Sequence, residues 1–454
     1  MTGLLTLEQL TAGIRDGKID TVIVAFPDMQ GRLMGKRVTG SYFLDTVQHE
    51  THACNYLLTA DMEMEPVPGY AAASWKLGYG DFALKPDLNT LRIVPWLEGT
   101  AQVLADLTDH EGALLPHAPR TILKRQLERL AERGWSASFA SELEFYVFEQ
   151  SFAAAHEQGY RDLKPICWYI EDYHIFQTTK EEGLIRAIRN GMERGGIPIE
   201  ASKGEWGPGQ EEINFRYAGA LEMADRHVLY KNGAKEIAFQ HGQAITFMAK
   251  WSAQLAGSSC HVHVSLQDRE SGRSVFHDSA DPEGMAATFR HFLAGQLALA
   301  RESTLLLAPF VNSYKRFQAQ SFAPTKVAWS WDNRTTGYRV VGHGAGLRVE
   351  SRIPGADCNP YLVYAAMIAA GLNGIDRKLP LPEAATGNAY ESATLSRVPG
   401  TLREAIEEFD RSKVLREALG DAVVDHYVHA ARHEQADYDR VVTDYELRRM
   451  FERG

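Results

Sequence analysis

The chain has 454 residues, of which 44% are hydrophobic and 24% charged, the proportions of a folded globular protein and not of a disordered or membrane-embedded one. Its formal net charge of -11 excludes general nucleic-acid binding, which rests on Lys and Arg neutralising phosphates. Cys54, Cys167, Cys260 and Cys358 are scattered, without a close pair or zinc-type spacing, so no disulfide framework is expected. Together with the lack of a basic-then-apolar leader, this makes a reducing cytoplasm the expected setting.

In chain order, residues 6–16 read as a helix and residues 21–26 as a strand, which enters a hairpin over 28–38 with Gly31 at the turn. Residues 63–89, rich in Pro, Gly and aromatics and without periodicity, read as a long loop. Strand character resumes at 91–95 and 101–107, and 116–120 reads as a linker. A chain of this length favours two domains, and a boundary is expected near residue 112, giving 1–112 and 113–454. Residues 121–133 place Ile122, Leu123, Leu127 and Leu130 on one stripe and stop at Gly134, the pattern of a helix with a glycine terminus. Helices are expected at 181–194, 220–240 and 286–308. The Ala-rich run 361–375 falls short of the roughly 20 residues that span a bilayer, so it reads as a buried helix. Charged helices follow to the C-terminus.

Between the helices lie four segments with charged or imidazole side chains two residues apart: Glu142-Leu-Glu144, Glu212-Ile-Asn214, His261-Val-His263 and Arg348-Val-Glu350-Ser-Arg352. Successive side chains of a strand point to opposite faces, so each set shares a face while Leu143, Val262 and Val349 point to the core. Glu205 and Glu212 flank a Gly-Pro-Gly turn that returns both toward one cavity, and the small residues Gly257-Ser258-Ser259 let backbone N–H groups approach a ligand. Carboxylates and imidazoles beside guanidiniums suit divalent metal and phosphate, because hard cations take oxygen ligands and Arg pairs with phosphoryl oxygens. The expected site is metal-nucleotide.

These motifs, with Asn312-Ser-Tyr-Lys-Arg316 and Asn333-Arg-Thr-Thr-Gly-Tyr-Arg339, resemble the glutamine synthetase superfamily over essentially the whole chain. The resemblance implies an α+β fold, with an N-terminal β-grasp-like domain and a catalytic domain of antiparallel strands in a partial barrel flanked by helices. It implies that Glu144, Glu205 and Glu212 hold one divalent ion, Mg²⁺ or Mn²⁺, and that Glu142, His261 and Glu350 hold a second. His263, Arg348 and Arg339 match ATP-binding positions, Arg334 matches the arginine facing the transferred phosphoryl group, and Gly257, Arg316 and Arg352 match glutamate-binding positions. The implied reaction phosphorylates the glutamate side chain with ATP and lets an amine displace phosphate. The implied assembly is a dodecamer of two hexameric rings with active sites between adjacent subunits.

Departures from the pattern bear on the amine. Where ammonium-using members present a loop glutamate that closes the site and deprotonates ammonium, this chain has Phe322, which can do neither. The element through which a neighbouring subunit helps hold ammonium is not recognisable between Asn55 and Ser74, and Ala256 replaces a usual asparagine. With Trp206 beside Glu205, these changes point to a small organic monoamine, ethanolamine-like or alkyl/aryl, ahead of a polyamine, with ammonium last. A non-catalytic relative is the expectation from outside the class. Tyr390 aligns roughly with a tyrosine that some bacterial members adenylylate, but its surroundings lack the usual proline-rich sequel.

Overall fold

In the computed structural model, which describes residues 3–454, the strand Thr21–Pro27 turns into the antiparallel strand Leu33–Thr39. Gly31 sits in that turn with φ +79°, a left-handed conformation that a side-chain-bearing residue adopts at a cost. Thr21–Pro27 also pairs in parallel with Thr100–Thr108, so the first and last strands lie side by side in the middle of a six-stranded sheet. Helix Leu7–Arg15, started by a capping box between Thr6 and Gln9, buries Leu10 in the core of this β-grasp-like unit.

Two sequence expectations are corrected here. Residues 63–89 are not all loop: Asp81–Pro86 is a strand paired on one side with Thr51–Cys54 and on the other with Thr100–Thr108. Phe82, Ala83 and Leu84 are all buried, so the strand lacks the polar alternation that marks a half-exposed one. Residues 116–120 are not all linker either, because the helix Pro119–Ala131 begins within them, with proline in its first turn where a missing N–H costs nothing.

The second sheet has nine strands. Its main order is Trp329–Trp331, Tyr338–Val341, Arg348–Ser351, Cys260–Asp268, Trp135–Phe148, Gln210–Phe215 and Ile199–Gly204, antiparallel except for the first pair. Leu143, Val262 and Val349 are buried on its apolar face. Helix Pro360–Asp376 lies in the same core, with Tyr364 stacked on Phe139 at 4.2 Å between ring centroids. The helix expected over 286–308 is two, Ala287–Ala298 and Ala300–Leu307, and both pack against Pro360–Asp376. Neither Gly nor Pro marks the break at Leu299.

Arg120 ties the two sheets' surroundings together. Its buried guanidinium donates to Asp225 on helix Ala220–Gln240 at 3.1 and 3.0 Å, to Asp106 at 2.6 Å and to Asp87 at 2.7 Å. Asn359 adds a bond from its side-chain amide to the carbonyl of Met29, 3.1 Å away. The last helices bury one stripe, as Leu402, Ala405, Ile406 and Phe409 do, and leave their charges to solvent. No described helix is long and apolar enough to cross a membrane.

Candidate active site

Strand register converts the two-residue spacings into one continuous polar patch. Glu142 lies opposite His261 on one side and Asn214 on the other, Glu144 lies opposite Glu212, His263 opposite Glu350, and Glu350 opposite Arg339. Opposed residues of an antiparallel ladder share a face, with Cβ atoms about 5 Å apart, so five strands deliver their charges to one place. Glu205 reaches the patch from the turn after Ile199–Gly204, where its N–H donates to the Gln210 carbonyl at 2.7 Å. Gly207 in that turn has no alternative, since a Cβ there would lie 1.9 Å from the Tyr146 phenol oxygen.

Potential ligand atoms of Glu144, Glu205 and Glu212 lie within 4.8 Å of one another, as do those of Glu142, Glu212 and His261, and those of Glu142, His263 and Glu350. The carboxylate trio is the one expected. Of the other expected set, His261 Nδ1 stands 3.4 Å from Glu142 and 3.8 Å from Glu350, and His263 Nε2 stands 3.0 Å from Glu142. His263, expected at the nucleotide, therefore also touches the acid cluster.

The acids differ sharply in charge state. Burial and the Glu205 charge push Glu144 up to about 8, against hydrogen bonds from the Ser259 N–H and hydroxyl. Burial and the charges of Glu142, Glu205 and Glu144 push Glu212 well above the ordinary carboxylate range. Burial also resists ionisation of Glu350, yet Arg352, His261 and His263 hold it down to about 2. Burial and Arg352 lower His261 to about 4, leaving a neutral imidazole that can act as a ligand at pH 7. Oxygen-rich, mutually repelling carboxylates with a neutral imidazole fit a hard divalent cation, which would relieve the repulsion that raises Glu144 and Glu212.

The guanidiniums surround this core. Arg339 donates to Glu350 at 2.8 Å and to Asp332 at 3.0 Å, and Arg352 donates to Glu350 at 2.6 Å. Arg316 is buried against Gly257, where a Cβ would lie 2.5 Å from its Cγ, and donates to the carbonyl of Pro354 at 3.1 Å. The Nε–H groups of Arg316 and Arg352 are buried without a partner, donors available to an anion.

Two cavities meet at Glu142 and Asn214. One of about 560 Å³ is lined by the six expected metal ligands, by Arg316, Arg334, Arg339 and Arg352, and by Gly257, Trp206 and Phe322. The other, of about 520 Å³, takes His263 and Arg348, whose Nε donates to His263 Nδ1 at 3.3 Å. At the mouth of the first, Trp206 and Phe322 meet edge to face, 5.8 Å between centroids and each about half exposed (51% and 48%). Phe322 has φ +58°.

Some functional candidates were not read from the sequence. Lys203 pairs with Glu205 and with Asp172, the latter at 3.3 Å, and its ammonium sits 4.5 Å from the Tyr173 ring centroid. Its position two residues before Glu205 is the same spacing that marked the other strands. Asp172, Tyr173 and Ile175 line the cavity from a segment without periodicity, and nothing in the sequence assigns them there. Ser259 corrects one expectation: its N–H is aimed at Glu144 and not at a ligand.

Residues 116–450 match the model of the glutamine synthetase catalytic domain. The chain is 53% identical over 450 residues to a gamma-glutamylethanolamide synthetase of Streptomyces coelicolor, covering 99% of this chain and 96% of that one. It is 38% identical over 443 residues to a glutamate–isopropylamine ligase of a Pseudomonas species, covering 97% and 96%. Among solved structures, a GmaS–ADP complex superposes with a TM-score of 0.85 at 28% identity, covering 99% of this chain and all of that one. Glutamine synthetase family enzymes use ATP and divalent metals, the chemistry that the acid patch and its arginines suit. The strand-borne acids, the arginines around them and these similarities lead to one conclusion: the chain belongs to the glutamine synthetase family.

Proposed function

We propose that this protein is an ATP-dependent ligase that joins the side-chain carboxyl of glutamate to a small organic monoamine through γ-glutamyl phosphate. The observation that carries the amine class is the Trp206–Phe322 pair at the mouth of the cavity that holds the acids and arginines. An apolar rim there favours an acceptor with a carbon skeleton and offers ammonium neither a base nor a counter-charge. Ethanolamine comes first among such amines because of the similarity to the ethanolamide synthetase, with isopropylamine next.

A carboxylate is a poor electrophile, and its oxygen is a poor leaving group. Transfer of the ATP γ-phosphoryl group to a glutamate carboxylate oxygen makes the carbonyl carbon reactive; the amine nitrogen then bonds to that carbon, the C–O bond breaks, and phosphate and a proton are released. Arg316 and Arg352, each with an unpartnered buried Nε–H, bind and orient glutamate. His263 and Arg348 receive ATP in the second cavity, while Arg334 and Arg339 stabilise charge on the transferred group. Mg²⁺ or Mn²⁺, held by Glu144, Glu205 and Glu212 and by Glu142, His261 and Glu350, would screen the phosphoryl oxygens and the attacking carboxylate. We further propose two working domains, 1–112 and 113–454, a dodecamer of two hexameric rings, and a cytoplasmic location.

The test is phosphate release and product mass with ATP, Mg²⁺ and glutamate against ethanolamine, isopropylamine, aniline, spermine and ammonium. A γ-glutamyl amide of a small monoamine, with little product from ammonium, is the expected result. Preferential use of ammonium would overturn the reading of Phe322, and no product from any amine would overturn the ligase reading.

A further inference from the structure

The first cavity has two working ends, and one short turn holds both. At the acceptor end, Gln320 and Phe322 have φ of +62° and +58°, left-handed conformations that residues with a Cβ adopt only when their surroundings enforce them. The enforcing contacts are few. The Tyr390 hydroxyl donates to the Ala323 carbonyl at 3.0 Å, Arg352 donates to the Phe322 carbonyl at 3.4 Å, and the Ser321 hydroxyl closes the loop on Gln318 at 2.6 Å. At the phosphoryl end, the residues on either side of Arg334 are fastened to the turn that bears Tyr390. The Asn333 side-chain amide donates to the Gly387 carbonyl at 2.8 Å, and the Ala389 N–H donates to the Thr335 hydroxyl at 3.0 Å. Asn388 caps that turn by accepting the Tyr390 N–H at 3.1 Å.

We infer that residues 387–391 form a bracket between the Arg334 loop and the Phe322 loop, and that Tyr390 is a positioning residue whose hydroxyl holds Phe322 over the acceptor end. The inference rests on the ligase reading above. Its consequence is coupling. Once γ-glutamyl phosphate has formed, water competes with the amine for the same carbonyl carbon; if water adds, the C–O bond to phosphate breaks and glutamate plus phosphate result, which is ATP hydrolysis without product. A Phe322 loop fixed relative to the phosphoryl end excludes that water while the apolar rim admits the amine.

Tyr390→Phe removes the hydroxyl and keeps the ring. Phosphate released and amide formed are measured in one reaction, with KM for glutamate and for the amine. In the wild type the two products should be nearly equimolar. In the variant, amine-independent phosphate release should rise about fivefold to tenfold, the effect of losing one hydrogen bond, and the KM for the amine should rise while that for glutamate does not. A merely structural defect would lower both products together and leave their ratio unchanged, and that outcome overturns the bracket, as does wild-type coupling with an unchanged amine KM. Should Tyr390→Phe be insoluble, Asn388→Ala, which uncaps the turn, is measured the same way against the same criteria. A wild type that forms no amide from any amine overturns the ligase reading instead, and the bracket with it.

Discussion

The acid patch and the acceptor end of the same cavity are built in opposite ways. Every acid and imidazole of the patch except Glu205 stands on a strand, and its direction follows from a backbone ladder that also buries Leu143, Val262 and Val349 behind it. The acceptor end stands on a loop and a turn, with Trp206 and Phe322 half exposed and two left-handed residues in a loop held by a few side-chain bonds. A strand fixes position through many cooperative contacts, whereas a loop fixes it through a few replaceable ones. Chemistry common to a family belongs on the first, and the choice of substrate can change on the second at little cost to the fold.

The contrast breaks most visibly at the patch. Glu212→Gln should lower glutamate-dependent phosphate release by about 10²- to 10³-fold, the usual loss for one preorganised charge, without lowering the melting temperature, because it removes a carboxylate that its neighbours already repel. Activity near wild type would remove Glu212 from the machinery. Gly207→Ala tests whether the turn bearing Glu205 is as rigid as the strands: a Cβ 1.9 Å from the Tyr146 hydroxyl should cost about 1–3 kcal/mol in denaturant unfolding. Phe322→Glu, at the adaptable end, should shift the ratio of kcat/KM for ammonium over ethanolamine about tenfold toward ammonium and leave stability within about 0.5 kcal/mol. An unchanged amine profile would take Phe322 out of the acceptor site.

The smallest expected effect is on pH. Glu144 ionises near 8 in the folded chain and near 4.5 in the unfolded one, so the folded state holds the extra proton in between. Its contribution to stability is complete below pH 4.5 and is lost as pH rises toward 8. Thermal scans in chelator should show this decline, and Mg²⁺ should reverse it increasingly as pH rises, because metal binding displaces the same protons. A metal effect independent of pH would show that Glu144 is not a ligand.

How much could be read from residues alone follows the same division. The pairs at spacing two disclosed a shared face on each of four strands, because that periodicity is a property of the strand itself. Which strands are neighbours, and hence that His263 meets both Glu350 and Glu142, depends on pairings between segments as far apart as 142 and 261, which no local pattern encodes. Asp81–Pro86 carries no strand alternation because it is buried on both sides, and neither Gly nor Pro marks the helix break at Leu299. Asp172 and Tyr173 reach the cavity from an irregular segment by tertiary packing alone.

The strand Trp135–Phe148 has a further consequence, for the order in which the molecule can assemble. Its neighbours are Gln210–Phe215 on one edge and Cys260–Asp268 on the other, and Arg348–Ser351 joins only beyond the latter. Such distant pairings close large loops before they are rewarded, which makes folding slow. On the ribosome, Glu142 and Glu144 emerge long before Glu350, so the nascent sheet waits with an unpaired edge and a row of repelling acids. Refolding of the purified chain should therefore be faster with Mg²⁺ present only if the ion acts before Arg348–Ser351 docks; otherwise the metal will stabilise the finished site without hastening its formation.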